Sequence, residues 1–192
     1  MKKQILALVP LVFCLAAGIE AAPILYVADL GNFENPPTGS AGTGKARVTL
    51  DVMAHTLTID VSFTGLTGLT TNSHIHCCVL TPNGNAGVAT TTPTFPGFPS
   101  GVTAGSYFNI FDTTLASSFN PAFVTANGGT VALAEARLAA GLAAGQTYFN
   151  IHTNLFPGGE IRGFLAVPEP GTLGLIVLGL GTLAAATRKR RA

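Results

Sequence analysis

Charge is what this chain has least of. Asp, Glu, Lys and Arg make up 10% of its 192 residues, against 47% apolar residues. Soluble domains carry about 25% charged residues, and disorder goes with low hydrophobicity and high net charge. The chain therefore reads as folded, with length for one sizeable core plus extra segments. Basic residues are scarcest in the middle. Lys2 and Lys3 lie at the start and Arg188, Lys189, Arg190 and Arg191 at the end, which leaves Lys45, Arg47, Arg137 and Arg162 in 23–166. Seven acidic residues accompany those four, for a formal charge of −3. A nucleic-acid binder that neutralises phosphates needs a basic face, so that class is excluded. Cysteine is nearly missing as well: Cys14 lies near the start, and Cys77 and Cys78 are the only others. Gly128-Gly129 and Gly158-Gly159 lack the strand-to-helix setting of a phosphate cradle. Asp29, Asp51, Asp60 and Asp112 are too scattered for a calcium loop. There is no internal repeat.

The two ends read as addresses. Lys2 and Lys3 precede the apolar run Ile5–Ala17, whose 13 residues are too few for a lasting bilayer anchor. Small residues follow, so Met1–Ala22 is expected to be a signal peptide, cleaved after Ala21 or Ala22. The bulky Phe13 argues against lipid attachment at Cys14. At the other end Pro168-Glu169-Pro170 precedes Gly171–Thr187, 17 residues without a charge, and then the basic run 188–191. Seventeen residues just suffice for a transmembrane helix, with the basic residues on the cytoplasmic side. The helix reads as a transient stop or as a permanent single-span anchor. Its glycines at 171, 174, 179 and 181 offer a helix-pairing face as a further reading.

Between the ends the periodicity is that of strands. Val48, Leu50 and Val52 alternate with Arg47, Thr49 and Asp51, and Leu57, Ile59, Val61 and Phe63 alternate likewise. With Met53-Ala54-His55 as the turn, they form a hairpin with one wet face, and His55 is a solvated turn residue. Further strands are expected at 24–28, 74–80, 107–111, 147–152 and 161–166. Thr81–Thr103, with four prolines and four glycines, reads as a long loop. One helix is expected over 130–143, with Val131, Ala134, Leu138 and Leu142 on one stripe. The class is an all-β antiparallel sandwich or barrel with one helical insertion, flanked by the signal helix and the transmembrane helix.

Chemistry is confined to one constellation. Residues two apart in a strand share a face. His74 and His76 therefore point one way, and Tyr148, Asn150 and His152 share a face of another strand. Glu160 and Arg162 follow after the Gly158-Gly159 turn. If the apolar sets face the core, these polar residues gather on one face. His74, His76 and His152 are then a candidate zinc or copper set, or a hydrogen-bonded cluster that fixes strand register. Glu160 and Arg162 read as a structural polar cluster, with an ion pair between them as the plain expectation. No nucleophile is in view, so no catalytic residue is assigned and no cofactor is required. Adjacent cysteines in a strand point to opposite faces, which makes an ordinary disulfide poor. Free buried thiols, a vicinal disulfide at a strand end, and metal or intermolecular bonding stay open for Cys77 and Cys78.

Two resemblances extend this. Pro168-Glu169-Pro170, the apolar span and the basic terminus resemble the PEP-CTERM sorting signal of Gram-negative bacteria. That likeness implies export across the inner membrane, transient anchoring by the C-terminal helix, processing by an exosortase-type enzyme and delivery to the cell surface or beyond. Further motifs occur in order: Leu30-Gly31, Glu34-Asn35-Pro36-Pro37, Gly42-Thr43-Gly44-Lys45-Ala46, His74-Ile75-His76, the run from Tyr148 to Thr153, and the run from Gly158 to Gly163. Together they resemble the chordin-type, or CHRD, domain over about 24–166. The likeness implies an immunoglobulin-like sandwich in an exported protein, with no established catalysis or ligand. In animals such domains occur in an extracellular growth-factor antagonist. Cys77-Cys78 and the helical stretch depart from the family pattern. The resulting division is 1–22 signal peptide, 23–166 CHRD domain and 167–192 sorting signal. The expected role is a non-enzymatic structural or binding module, with exopolysaccharide or surface proteins as partners. A metal-dependent enzyme or metal-binding protein is the alternative.

Overall fold

The computed structural model describes residues 22–80 and 83–169. The expected signal helix, Pro170, the expected transmembrane helix and the basic tail lie outside the described residues. Among the described residues no helix is long and apolar enough to cross a membrane.

Alternation builds the first sheet. β2 (Thr43–Asp51) buries Ala46, Val48 and Leu50, and β3 (Thr56–Thr64) buries Leu57, Ile59, Val61 and Phe63. Their antiparallel register sets Val48 opposite Ile59 and Leu50 opposite Leu57, so the apolar sets share one face. β1 (Ile24–Leu30) pairs with β2 and β5 (Gly105–Asp112) with β3, in the order β1-β2-β3-β5. The second sheet is β4 (Thr70–Cys77), β6 (Thr147–Thr153) and β7 (Ile161–Phe164), in the order β4-β6-β7. Ile75, Phe149, Ile151 and Ile161 form its share of the core. Backbone bridges from Val27 to Ala166 and from Gly31 to Arg162 join the two sheets through β1 and β7. The architecture is an all-β antiparallel sandwich, as alternation implies.

Several boundaries differ from the sequence reading, each for a local reason. Val52, expected inward, is 41% exposed, because Asp51 Oδ1 accepts from the amides of Met53 and Ala54 and starts the turn early. β4 begins at Thr70 rather than His74 and ends at Cys77 rather than Leu80, which is 89% exposed. β7 ends at Phe164 rather than Ala166: the Leu165 amide still donates to Thr147 O of β6, after which Ala166 bridges to Val27. The stretch expected as a long loop supplies a border to β4. Gly87 accepts from Cys77 N, and Ala89 N donates to Ile75 O. Phe95 from the same stretch is buried in the core.

Helix α2 (Val131–Ala143) lies where its stripe placed it, capped by Thr130, whose side chain accepts from Leu133 N. Ala134, Leu138 and Leu142 are buried, together with Glu135 and Gly141. A six-residue helix α1 (Pro121–Ala126) precedes it. It is too short for a periodic signal, and only the Asn120 cap and Pro121 at its first position announce it. Cys77 and Cys78 are bonded to each other as a vicinal disulfide at the end of β4. A Cβ at position 141 would lie 2.6 Å from both sulfurs, so only glycine lets α2 seat there.

The turn between β6 and β7 distinguishes its two glycines. Gly159 has φ +126°, and a Cβ there would lie 2.5 Å from Glu34 Oε1 and Asn150 Nδ2, whereas nothing stands within 4 Å of one at Gly158. Gly159→Ala should cost about 1–3 kcal/mol or more, while Gly158→Ala should change stability by about 0.5 kcal/mol or less. Thermal unfolding of the two variants side by side checks this, and equal effects would contradict it.

Candidate functional site

The second sheet carries the polar constellation, and it is dry. Residues 73–77 of β4 and all of β6 are buried. Alternation turns Phe149 and Ile151 toward the core and His152, Asn150 and Tyr148 the other way, under the segments 31–40 and 83–100. His74 and His76 join them from β4, opposite Asn150 and Tyr148. The face is therefore not solvated: His74, His76 and His152 are 4%, 7% and 6% exposed.

One ring nitrogen from each histidine lies within 4.8 Å of the others. His74 Nε2 donates to the carbonyl of Pro93 at 2.7 Å, His76 Nδ1 to Ala86 at 2.9 Å and His152 Nδ1 to Pro157 at 2.9 Å. The ring of His76 stacks on Tyr148 at 4.7 Å, nearly parallel. Burial drives the pKa of His74 and of His76 down to about 4, against the pull of their carbonyl partners, and lowers that of His152 as well. The rings are neutral at physiological pH.

Arg162 and Glu160 are both fully buried, and they serve different parts of the molecule. Among the described residues no ion pair joins them, which corrects that expectation. Arg162 sits over the Tyr148 ring at 4.6 Å, and its donors reach backbone carbonyls of Phe33, Asn83 and Gly84 and the side chain of Asn85. Its carboxylate neighbour is Glu34, at 3.8 Å. Glu160 instead accepts from Ser40 Oγ, the amides of Thr67 and Gly68, and Thr153 Oγ1. Burial alone would raise the Glu160 carboxyl, but these bonds hold it below its ordinary value. The separation arises because Arg162 lies opposite Asn150 on the outer face, while Glu160 meets Thr153, whose side chain belongs to the other face of β6. Pro168 and Glu169 are exposed, past the last bridge.

Two features escaped the sequence reading. His55 is an exposed turn residue, as expected, but it has φ +53° and its Nδ1 bonds the buried Glu135 of α2 at 2.9 Å. Thr113 Oγ1 donates to the same carboxylate. Glu34 is 9% exposed, with Oε1 lacking a partner. Burial outweighs the attraction of Arg162 and the hydrogen bond with Asn150, and raises its pKa to about 7. Its only announcement in the sequence was its place in the run Glu34-Asn35-Pro36-Pro37.

A two-sheet antiparallel sandwich whose outer polar layer is sealed by loops, followed by a Pro-Glu-Pro terminus, defines the class of protein. The chain belongs to the CHRD domain family, whose model matches residues 27–165. The PEP-CTERM protein-sorting motif matches residues 166–191. The chain is thus an extracellular-type protein sorted by an exosortase, exported and transiently held at the membrane. No curated protein and no solved structure matches it.

Glu34 generates a pH prediction. A carboxyl whose pKa is higher in the folded state than in the unfolded chain loses stability as pH rises from its ordinary value, near 4.5, to about 7. Glu34→Gln has no such proton to lose. The melting temperature of the variant minus that of the wild type should grow between pH 5 and pH 8. A difference constant with pH would show that the carboxyl does not titrate in this window.

Proposed function

We propose that this CHRD domain is a non-enzymatic structural or binding module of the cell envelope or extracellular matrix, delivered there by exosortase processing. One observation supports it above others. Two fully buried charged side chains hold the chain to itself: Arg162 with loop carbonyls, Glu160 with loop amides. These bonds make a rigid, closed body rather than a set of groups free to meet a substrate. A cavity of about 510 Å³ beside Arg162 is lined by Val79, Leu80, Asn83, Phe164 and the Ala144–Gln146 turn, with no titratable side chain among these. The partners this reading favours are exopolysaccharide or other surface proteins.

Two measurements test the proposal. Material recovered from the cell surface should have an intact mass that ends near Glu169. In a strain without the exosortase, Arg188–Arg191 should stay attached and the chain should remain with the membranes. A surface form that retains the basic tail would contradict the processing. Full-length chain in detergent, mixed with exopolysaccharide from the producing cells, should co-sediment saturably. Failure to co-sediment, with equal failure to capture surface proteins by crosslinking on intact cells, would overturn the binding role.

A further inference from the structure

The hydrogen bonds of the three histidines determine where their protons are. A carbonyl oxygen has no hydrogen to give, so each ring nitrogen that faces one must carry its own. His74 is therefore protonated on Nε2, facing Pro93, and its Nδ1 is a bare lone pair. His76 and His152 are protonated on Nδ1, facing Ala86 and Pro157, and each has a bare Nε2. The bare nitrogens of His74 and His152 stand 3.4 Å apart, two acceptors with no hydrogen between them. The bare Nε2 of His76 is buried without any partner. Unpartnered buried acceptors are rare and need an explanation, and here three of them belong to one cluster.

We propose that His74 Nδ1, His76 Nε2 and His152 Nε2 bind one zinc or copper ion. Nitrogen ligands about 2.0–2.1 Å from a tetrahedral ion stand about 3.4 Å from each other, which is the separation of the His74 and His152 nitrogens. The ion satisfies all three lone pairs together. A proton shared by one pair would still leave His76 Nε2 orphaned, and 3.4 Å is long for a hydrogen bond. The carbonyls of Pro93, Ala86 and Pro157 hold each ring in the tautomer and orientation that a metal ligand needs, as outer partners of ligating histidines do. Neutral imidazoles suit zinc and copper. Two ligands alternate along β4 and the third comes from paired β6, so the sheet presets their spacing. The Tyr148 stack and the buried Arg162 above it fix the ring of His76. The site goes beyond the surface role proposed above and does not rest on it.

The test uses the full chain in detergent, freed of metal by chelator and titrated separately with Zn²⁺ and Cu²⁺. One equivalent of at least one ion should bind and raise the melting temperature, and chelator should reverse the rise. His76→Phe keeps a ring on Tyr148 but has no ligand nitrogen, and His152→Gln removes a second one. Each variant should weaken binding at least 100-fold. Histidine nitrogen NMR of the metal-free wild type should show the three tautomers assigned above, and the metal should shift the three bare nitrogens, a readout that survives if a variant fails to fold. If neither ion binds at one equivalent, if binding persists in both variants, or if the bare nitrogens do not respond, the proposal is wrong.

Discussion

A guanidinium with no exposed surface organises this domain. Arg162 is always charged, and a buried charge is tolerable only when its donors are engaged. Nε bonds Phe33 O at 2.6 Å, Nη1 bonds Asn85 Oδ1 at 2.7 Å and Nη2 bonds Asn83 O at 3.0 Å. Each partner belongs to a loop with no regular structure of its own, so the arginine decides where both loops lie. Ala86 follows directly, and its carbonyl orients His76. Burial of the histidine layer and the path of the covering loops are thus consequences of one satisfied side chain.

The same device recurs with opposite charge. Glu160 draws Ser40, Thr67 and Gly68 to β6, and Glu135 ties α2 to the β2–β3 turn through His55 and to the end of β5 through Thr113. Buried ions add little net stability against apolar replacements, but they discriminate strongly between the arrangement that satisfies them and one that does not. Here each ion holds together segments far apart in sequence. The low charge content takes on a different meaning in this light. Of the eleven charged residues in 23–166, Glu34, Glu135, Glu160 and Arg162 are buried. A large share of the charge works inside the domain, while six of the ten basic residues lie in the two terminal segments.

The vicinal disulfide lies at the junction of these parts. Cys77 follows His76 directly, and Gly141 brings α2 onto the two sulfurs. The helical insertion and the histidine strand are therefore neighbours in space, with about 60 residues of chain between them. In an exported protein such a bond persists without protection from a reducing cytosol.

Periodicity alone determined the strands of the hairpin, the stripe of α2 and the class of the fold, because residues two apart on a strand must share a face whatever surrounds them. It also placed His74 with His76, and Asn150 with His152. The terminal address was legible because Pro-Glu-Pro, an apolar span and a basic end are local properties of the chain. Tertiary structure alone decided that the polar face is buried, that Glu160 and Arg162 serve different loops, that His55 meets Glu135, and that Glu34 is buried. Each of those facts depends on where irregular segments fold back. A loop has no period to read, and its path is set by distant donors and acceptors that only the folded chain brings within hydrogen-bonding reach.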